Sequence, residues 1–398
     1  MRCYEYFGKL LTFGKVLPGI HPGNTFPKVS KTGRISGEPV KVGVPKEIKP
    51  GEGRVALTPH ACHTLVHQGV AVTVQSGAGA ASGYADAQYG EAGASVADSA
   101  AAVWAEADLV VKVKEPQRDE LGSLRPGQQL FCFLHLAADP ELAEALVASG
   151  ATCIGFETVT DPGGGALPLL APMSTIAGRL AGQLAPNLLH HQQGGRGLLL
   201  GGIPGAPRGS AVVLGAGSAG MAAARSLADT GAAVTVFDLD WGRLEEAAAL
   251  GPAVTALYSG PRIIGEAAAE ADVVVGAVLV AGRRAPLLVD EATVAAMPPG
   301  AVLIDISVDQ GGCVATTRPT SWKEPTYTAH GVVHFAVTNM PGAVPRTASQ
   351  VLAARLTPYV AALAGVASES VPGLEAGYQV RDGEIVHAAV REALAGQS

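Results

Sequence analysis

The segment "VVLGAGSAGMAAARSLADTGAAVTVFDLD", residues 212–240, restricts the possible folds of the chain more than any other stretch. A β-branched run leads into Gly215, Gly217 and Gly220, an Ala-rich stretch follows, and a second β-branched run ends at Asp238. Glycines at this spacing permit a tight turn, a close approach of backbone amides to a pyrophosphate, and close packing of a helix on a strand. The pattern therefore predicts a βαβ unit that binds a dinucleotide.

Asp238 bears on which dinucleotide binds. An acid about twenty residues after the glycines accepts hydrogen bonds from the adenosine ribose hydroxyls. A 2′-phosphate at the same place would meet a carboxylate. We therefore predict NAD as the cofactor, in preference to NADP.

The wider chain has the same alternating character. From residue 41, short β-branched runs alternate with Ala-rich stretches, starting near residues 41, 70, 107, 128 and 151, and again near 210, 232, 271, 301 and 332. Such alternation is typical of parallel sheets with crossover helices. We predict an α/β protein of two Rossmann-like, doubly wound domains with parallel sheets, linked by long helices, with a cleft between the domains.

The domain boundaries follow from these runs. We expect a discontinuous substrate domain at 41–168 and 346–398, and an NAD-binding domain at 169–345. One linking helix would begin near Ser174 and the other would run from about Ala348 to Ala364, so that the tail returns to the first domain. Residues 1–40, rich in Gly, Pro and Lys, are predicted to be a disordered extension.

Composition narrows the function classes. A net charge of −7 without any Lys/Arg-rich run disfavours nucleic acid and anionic membranes as partners. The five cysteines form no CxxC pair and no Cys/His cluster at zinc spacing, so we predict no metal site and a reducing, cytoplasmic location. Small-molecule chemistry is the remaining expectation.

Four polar residues end or follow the predicted strands of the two domains: Arg54, Lys114, His135 and Asp309. Ligands of open α/β sheets bind at the carboxyl ends of the strands. Two cations there suit a carboxylate substrate, and a histidine with an aspartate suits proton transfer. Taken alone, Arg54 could equally be a salt-bridged surface residue, and His135 a satisfied core histidine.

Two of these residues have close competitors. In "ADLVVKVKEP", residues 107–116, Lys112 and Lys114 are two apart, so a strand would point both to one face. Only Lys114 reaches the carboxyl end, so Lys112 is predicted to be structural. By the same reasoning Asp305 and Asp309 would share a face of one strand, and Asp309 is preferred as the reactive group.

A set of motifs, in order and spacing, resembles the alanine dehydrogenase family, which includes the NAD(P) transhydrogenase alpha subunits. The resemblance spans residues 41 to about 395 and rests on these segments: "RVALTP", "VKVKEP", "LHLAADPEL", "GALPLLAPMS", "GGRGLLLGGIPG", "GAGSAG", "VGAVLV", "DISVDQGGC" and "NMPGAVPRT".

This resemblance implies reversible, NAD-linked deamination of L-alanine to pyruvate and ammonia by a homohexamer. By position, Arg54 and Lys114 would hold the substrate, His135 would be the acid/base group and Asp309 would orient water or ammonia. The positions that would contact NAD, together with the three glycines, are Ser174, Ser218, Asp238, Arg243, Ser259, Val278, Leu279, Asn339 and Met340.

Two alternatives stay open. The chain departs from the family pattern at Phe156, at Thr175 and in "APNLLHHQ", so a dehydrogenase or imine reductase acting on another amino acid or 2-oxo acid is one. The other is a catalytically silent, transhydrogenase-like nucleotide-binding subunit, against which the joint presence of Lys114, His135 and Asp309 argues.

Overall fold

The computed structural model describes residues 40–279, 285–367 and 371–396. The predicted disordered extension therefore lies outside the described residues, apart from Val40. The described strands are β1 Lys41–Val44, β2 Ala71–Gln75, β3 Ser95–Ala97, β4 Leu109–Val111, β5 Gln129–Cys132, β6 Thr152–Gly155, β7 Ser210–Leu214, β8 Ala233–Asp238, β9 Val254–Tyr258, β10 Val273–Gly276, β11 Val302–Asp305, β12 Thr326–Ala329, β13 Val332–Phe335, β14 Tyr378–Arg381 and β15 Glu384–Ile385.

The α-helices of the same residues alternate with the strands, as the sequence pattern predicts. They are α1 Pro59–His67, α2 Asp86–Glu91, α3 Ala100–Glu106, α4 Arg118–Leu121, α5 Pro140–Ser149, α6 Ala171–Leu188, α7 Ser218–Asp229, α8 Trp241–Ala248, α9 Pro261–Ala269, α10 Glu291–Ala296, α11 Pro345–Leu363 and α12 Ala388–Ala395. None of these helices combines the length and apolarity that crossing a bilayer requires.

The strands form two separate sheets. The first has the order β15-β14-β6-β5-β4-β1-β2-β3 and the second the order β12-β13-β11-β10-β7-β8-β9. Pairing is parallel except where β14 meets β6, β15 meets β14 and β12 meets β13. The prediction of two parallel, helix-covered sheets is thus confirmed, and the C-terminal strands β14 and β15 do extend the first sheet.

Long helices connect the two sheets. Helix α6 follows β6 and α11 follows β13, and both lie between the sheets in chain order. Helix α6 packs closely on α7 because both present small residues: a Cβ at Gly178 would collide with the carbonyl oxygen of Ala219, and one at Gly182 with Ser226. The predicted helix start near Ser174 is three residues late, since α6 begins at Ala171.

The strand assignment of two lysines was wrong. Strand β4 ends at Val111, so Lys112 and Lys114 follow it in the connecting loop. Backbone pairing becomes irregular there: Lys112 N still donates to Phe131 O (3.1 Å), whereas the backbone N–H of Val113 donates to Glu47 Oε1 (2.6 Å). Five strands, β3, β9, β12, β14 and β15, were not predicted from the sequence.

The strand assignment of Asp309 was wrong as well. Strand β11 ends at Asp305, whose carboxylate accepts a hydrogen bond from Ser307 N (3.0 Å) and starts a 3₁₀ turn, Ile306–Gln310. Asp309 lies on this turn and is exposed, whereas Asp305 is buried. The two carboxylates therefore do not share a strand face.

Candidate active site

The Gly-rich turn between β7 and α7 has the geometry of a phosphate-binding loop. Gly215 has φ +96, which favours glycine, and a Cβ at Gly220 would collide with the carbonyl oxygen of Gly215. A Cβ at Gly217, the residue before α7, would instead enter open space. An anion can therefore approach the free N–H groups of the first helical turn without steric hindrance.

Asp238 lies at the carboxyl end of β8, beside this turn. Its Oδ2 accepts a hydrogen bond from Ala216 N (2.6 Å) and its Oδ1 one from Asp240 N (2.9 Å). Arg243 Nη1 is 4.0 Å from Oδ2, and Ser259 N donates to the carbonyl oxygen of Asp238. The carboxylate is thus fixed next to the glycines, where ribose hydroxyls of a dinucleotide would lie.

The other predicted cofactor contacts lie along the connections between the sheets and at the carboxyl edge of the second sheet. Ser218 is the first residue of α7, and Val278 and the half-exposed Leu279 follow β10. Ser307, which sequence reasoning missed, fixes this loop: its hydroxyl donates to Val278 O (2.8 Å) and accepts from Val278 N (3.0 Å). Ser174 lies in the first turns of α6, and Asn339 and Met340 follow β13.

His135 follows β5 in a left-handed conformation, φ +53. Glu157, which follows β6, holds this turn, because its carboxylate accepts from the backbone N–H groups of Leu134 (3.1 Å) and His135 (2.8 Å). The His135 ring stacks on Phe133, with ring centroids 5.7 Å apart. Neither Glu157 nor the turn was anticipated from sequence.

Dense protein around the ring lowers the pKa of His135 below its usual 6.5, and the Lys114 cation lowers it further, while the Glu157 carboxylate opposes both effects. Solvent still reaches the side chain. The ring is consequently neutral at pH 7 and able to accept a proton.

The two lysines after β4 have opposite surroundings. Lys112 is fully buried, with its Nζ 2.8 and 2.9 Å from the carboxylate oxygens of Glu120 and 3.3 Å from Glu47 Oε2. Burial opposes its charge, but the two carboxylates together raise its pKa. Lys112 therefore has a structural role, as the sequence predicted.

Lys114 is half-buried, and burial lowers the pKa of its ammonium group. The Arg54 cation acts in the same direction, while the carboxylates of Glu115 and Asp309 act in the opposite one. Glu115 is itself paired with Lys49. The protein carboxylates around Lys114 thus do not fully balance its charge, and a further negative group nearby would stabilise the ammonium form.

Arg54 is 2% exposed and is held by protein partners. Its Nε and Nη2 donate to the two oxygens of Glu52, at 2.7 and 2.5 Å, and Nη2 also donates to Asn339 Oδ1 (2.7 Å). Among the described residues, its Nη1 donates to the thioether sulfur of Met173, at 3.3 Å, which is a weak acceptor. Nη1 is therefore the nitrogen of the guanidinium with the weakest hydrogen-bond partner among the described residues.

Asp309 joins these groups from the second sheet. Its Oδ2 accepts from Asn339 N (3.3 Å), and its charge acts on both Lys114 and His135. The four residues singled out from sequence are therefore brought together. Asp305 is not among them, since its carboxylate is used by the backbone N–H groups of Ser307 and Cys313 and by the Thr317 hydroxyl.

Comparisons with known proteins were made for the whole chain. Residues 43–177 match the family model "Alanine dehydrogenase/PNT, N-terminal domain" and residues 181–388 match "Alanine dehydrogenase/PNT, C-terminal domain". The alanine dehydrogenase of Halomonas elongata is 46% identical over 360 residues, covering 89% of this chain and 96% of that protein. That of Bacillus subtilis is 44% identical over 355 residues, covering 88% and 93%.

Two solved structures extend the comparison. A structure of an L-alanine dehydrogenase superposes with a TM-score of 0.84 at 47% identity, covering 90% of this chain and all of the other. A transhydrogenase from Sinorhizobium meliloti superposes with a TM-score of 0.75 at 26% identity, covering 88% and 99%. The predicted family and fold class are confirmed by these findings.

Proposed function

The chain belongs to the alanine dehydrogenase/PNT family, and on this basis we propose that it catalyses the reversible, NAD-linked oxidative deamination of L-alanine. The overall reaction converts L-alanine, NAD⁺ and water to pyruvate, ammonium, NADH and a proton. One observation carries the proposal: Lys114 interacts electrostatically with Arg54 and Asp309, and His135 interacts with Lys114 and Asp309. The similarity to proteins named alanine dehydrogenase, which extends over nearly the full length of those proteins, supports it.

The residues present fit a bound NAD. The open approach at Gly217 suits the pyrophosphate, and the carboxylate of Asp238 suits an unphosphorylated ribose. Arg243 lies 4.0 Å from that carboxylate and would balance its charge. When bound, NAD supplies the acceptor for the hydride that leaves the α-carbon of alanine.

The chain's own groups bind the substrate and move protons. Arg54 Nη1 and the Lys114 ammonium bind the substrate carboxylate. This carboxylate supplies the negative charge that the protein groups around Lys114 do not provide. After the α-carbon has lost hydride, water adds to the resulting imine, and neutral His135 takes a proton from that water. His135 then returns this proton to the nitrogen, and as ammonia departs it takes the proton of the carbinolamine hydroxyl, so that the carbonyl of pyruvate forms. Asp309 orients the incoming water.

Three further proposals concern the whole protein. We propose a homohexamer, on the strength of the family resemblance, which mass measurement in solution would test. We propose a cytoplasmic location, which the four buried free thiols at Cys62, Cys132, Cys153 and Cys313 support. We also propose the domain division at 168/169 and 345/346, supported by the return of the tail to the first sheet.

Two other functions compete. The chain differs from the family's sequence pattern at Phe156 and Thr175, which favours a dehydrogenase that acts on another amino acid. A silent nucleotide-binding subunit has the transhydrogenase similarity in its favour.

Measuring NADH formation with a panel of L-amino acids distinguishes the proposed function from these two alternatives. Alanine should give the highest kcat/KM, and a value at least tenfold higher for another substrate would overturn the alanine assignment. NADH binding without turnover of any substrate would favour the silent subunit. As an internal check, Lys114→Ala should abolish turnover while NADH still binds.

A further inference from the structure

Glu52 is a buried carboxylate that joins the two sheets next to the site. It lies in the loop after β1, and its side chain is 0% exposed. Besides the guanidinium of Arg54, it binds the amide of Asn339, whose Nδ2 donates to Glu52 Oε2 (2.9 Å). Since Asn339 Oδ1 accepts from Arg54 Nη2 (2.7 Å), the three side chains form a closed ring of hydrogen bonds.

The ring is charged and tightly enclosed. Burial alone would raise the pKa of Glu52, but the hydrogen bonds and charge of Arg54, with the Asn339 amide, lower it to about 2. A Cβ at Gly342 would come within 2.9 Å of Asn339 Nδ2 and 3.3 Å of Gly51 O. The loop after β1 and the turn after β13 are therefore in close contact at Gly342.

Asn339 connects this ring to the cofactor side of the site. It has a left-handed backbone, φ +59, and its N–H donates to Asp309 Oδ2 (3.3 Å). Asn339 therefore links Asp309, at the second sheet, to Glu52 and to the guanidinium of Arg54.

We propose that Glu52 is a positioning residue that couples occupation of the nucleotide site to recognition of the substrate carboxylate by Arg54. The inference rests on the proposed function, because it takes Arg54 as the carboxylate-binding group. Glu52 itself touches neither substrate nor cofactor; it sets which edge of Arg54 faces the substrate and ties that edge to the loop of Asn339.

The test uses the full-length Glu52→Gln variant. Both oxygens of Glu52 accept hydrogen bonds, Oε1 from Arg54 Nε and Oε2 from Arg54 Nη2 and Asn339 Nδ2. Glutamine has only one acceptor oxygen, and it turns an amide donor toward a donor of Arg54 or Asn339. Hydrogen bonds to charged groups contribute enough that the KM for pyruvate should rise about tenfold or more. The kcat should stay within about threefold, because His135 and Asp309 keep their contacts. Glu141→Gln is the matched control, since that glutamate is 84% exposed and pairs with Arg118 on the surface.

Coupling is measured directly by NADH binding. Propionate serves as a carboxylate that cannot react, and NADH fluorescence gives the Kd with and without it. We expect propionate to tighten NADH binding to the wild-type protein and to the Glu141→Gln variant, and to lose that effect in Glu52→Gln. Asn339→Ala, which keeps the Glu52 and Arg54 pair but opens the ring, should lose it too, and it serves as the test if Glu52→Gln fails to fold.

The outcomes separate this inference from the proposed function. A wild-type protein that turns over alanine, together with a folded Glu52→Gln variant of unchanged pyruvate KM and unchanged propionate effect, overturns the coupling alone. Absence of any propionate effect in the wild-type protein also overturns it. A wild-type protein that turns over neither alanine nor pyruvate overturns the proposed function.

Discussion

Lys112→Met removes the ammonium group of the buried cluster and keeps a side chain of similar length. Two carboxylates, those of Glu120 and Glu47, then lose the cation that lies 2.8 to 3.3 Å from them. Breaking a buried ion pair in this way typically costs about 3–5 kcal/mol. This is a large part of the roughly 5–15 kcal/mol that stabilises a folded domain.

Part of the cost can be relieved by protonation. Burial already raises the pKa of Glu47, so that carboxyl group is the one that takes up a proton most readily when Lys112 is lost. The destabilisation should therefore be greatest at neutral pH and shrink as the pH falls toward 5. In the wild-type protein the cluster keeps its counter-charge over that range.

Urea unfolding followed by circular dichroism measures the change in unfolding free energy, and initial rates measure activity of the folded enzyme. We expect kcat and KM for alanine within about threefold of wild type, because Lys112 is fully buried and held by Glu47 and Glu120. Lys323→Met, at an exposed lysine, is the control and should change stability by about 0.5 kcal/mol or less. Loss of turnover in folded Lys112→Met, comparable to that in Lys114→Ala, would refute the assignment of the chemistry to Lys114.

Two other residues give further predictions. Because burial and Lys114 lower the pKa of His135 and the neutral ring is the proton acceptor, kcat/KM for alanine should fall on the acid side only below pH 6.5. Glu157→Gln removes the charge that opposes this shift, so the acid limb, or an NMR titration of the ring, should move to still lower pH; a move upward would contradict the reasoning. Asp238→Ala removes the carboxylate beside the ribose, and the ratio of kcat/KM with NADPH to that with NADH should rise about tenfold or more. A wild-type enzyme that already prefers NADPH would contradict the role given to Asp238.

The sequence predicted those features that depend on local pattern. The glycine spacing with Asp238 located the nucleotide site, and alternating runs gave both sheets, because such patterns reflect neighbours along the chain. Glu52 and Glu157 were missed because their partners, Asn339 and Gln379, are 287 and 222 residues away. The 3₁₀ turn that carries Asp309 was not predicted from the sequence. Strand β11 and the turn form one largely apolar run with Asp305 inside it, and such a run is typical of a single strand.

The contrast between Lys112 and Lys114 shows what decides the role of a charged residue here. The two are separated by one residue, yet the pKa of the first is raised and that of the second is lowered. The difference lies in the charges around them: Lys112 has two buried carboxylates, while Lys114 shares Glu115 with Lys49 and has Arg54 close by. A substrate carboxylate supplies the charge that Lys114 lacks, so binding should favour the ammonium form and proceed with uptake of a proton wherever Lys114 is partly neutral.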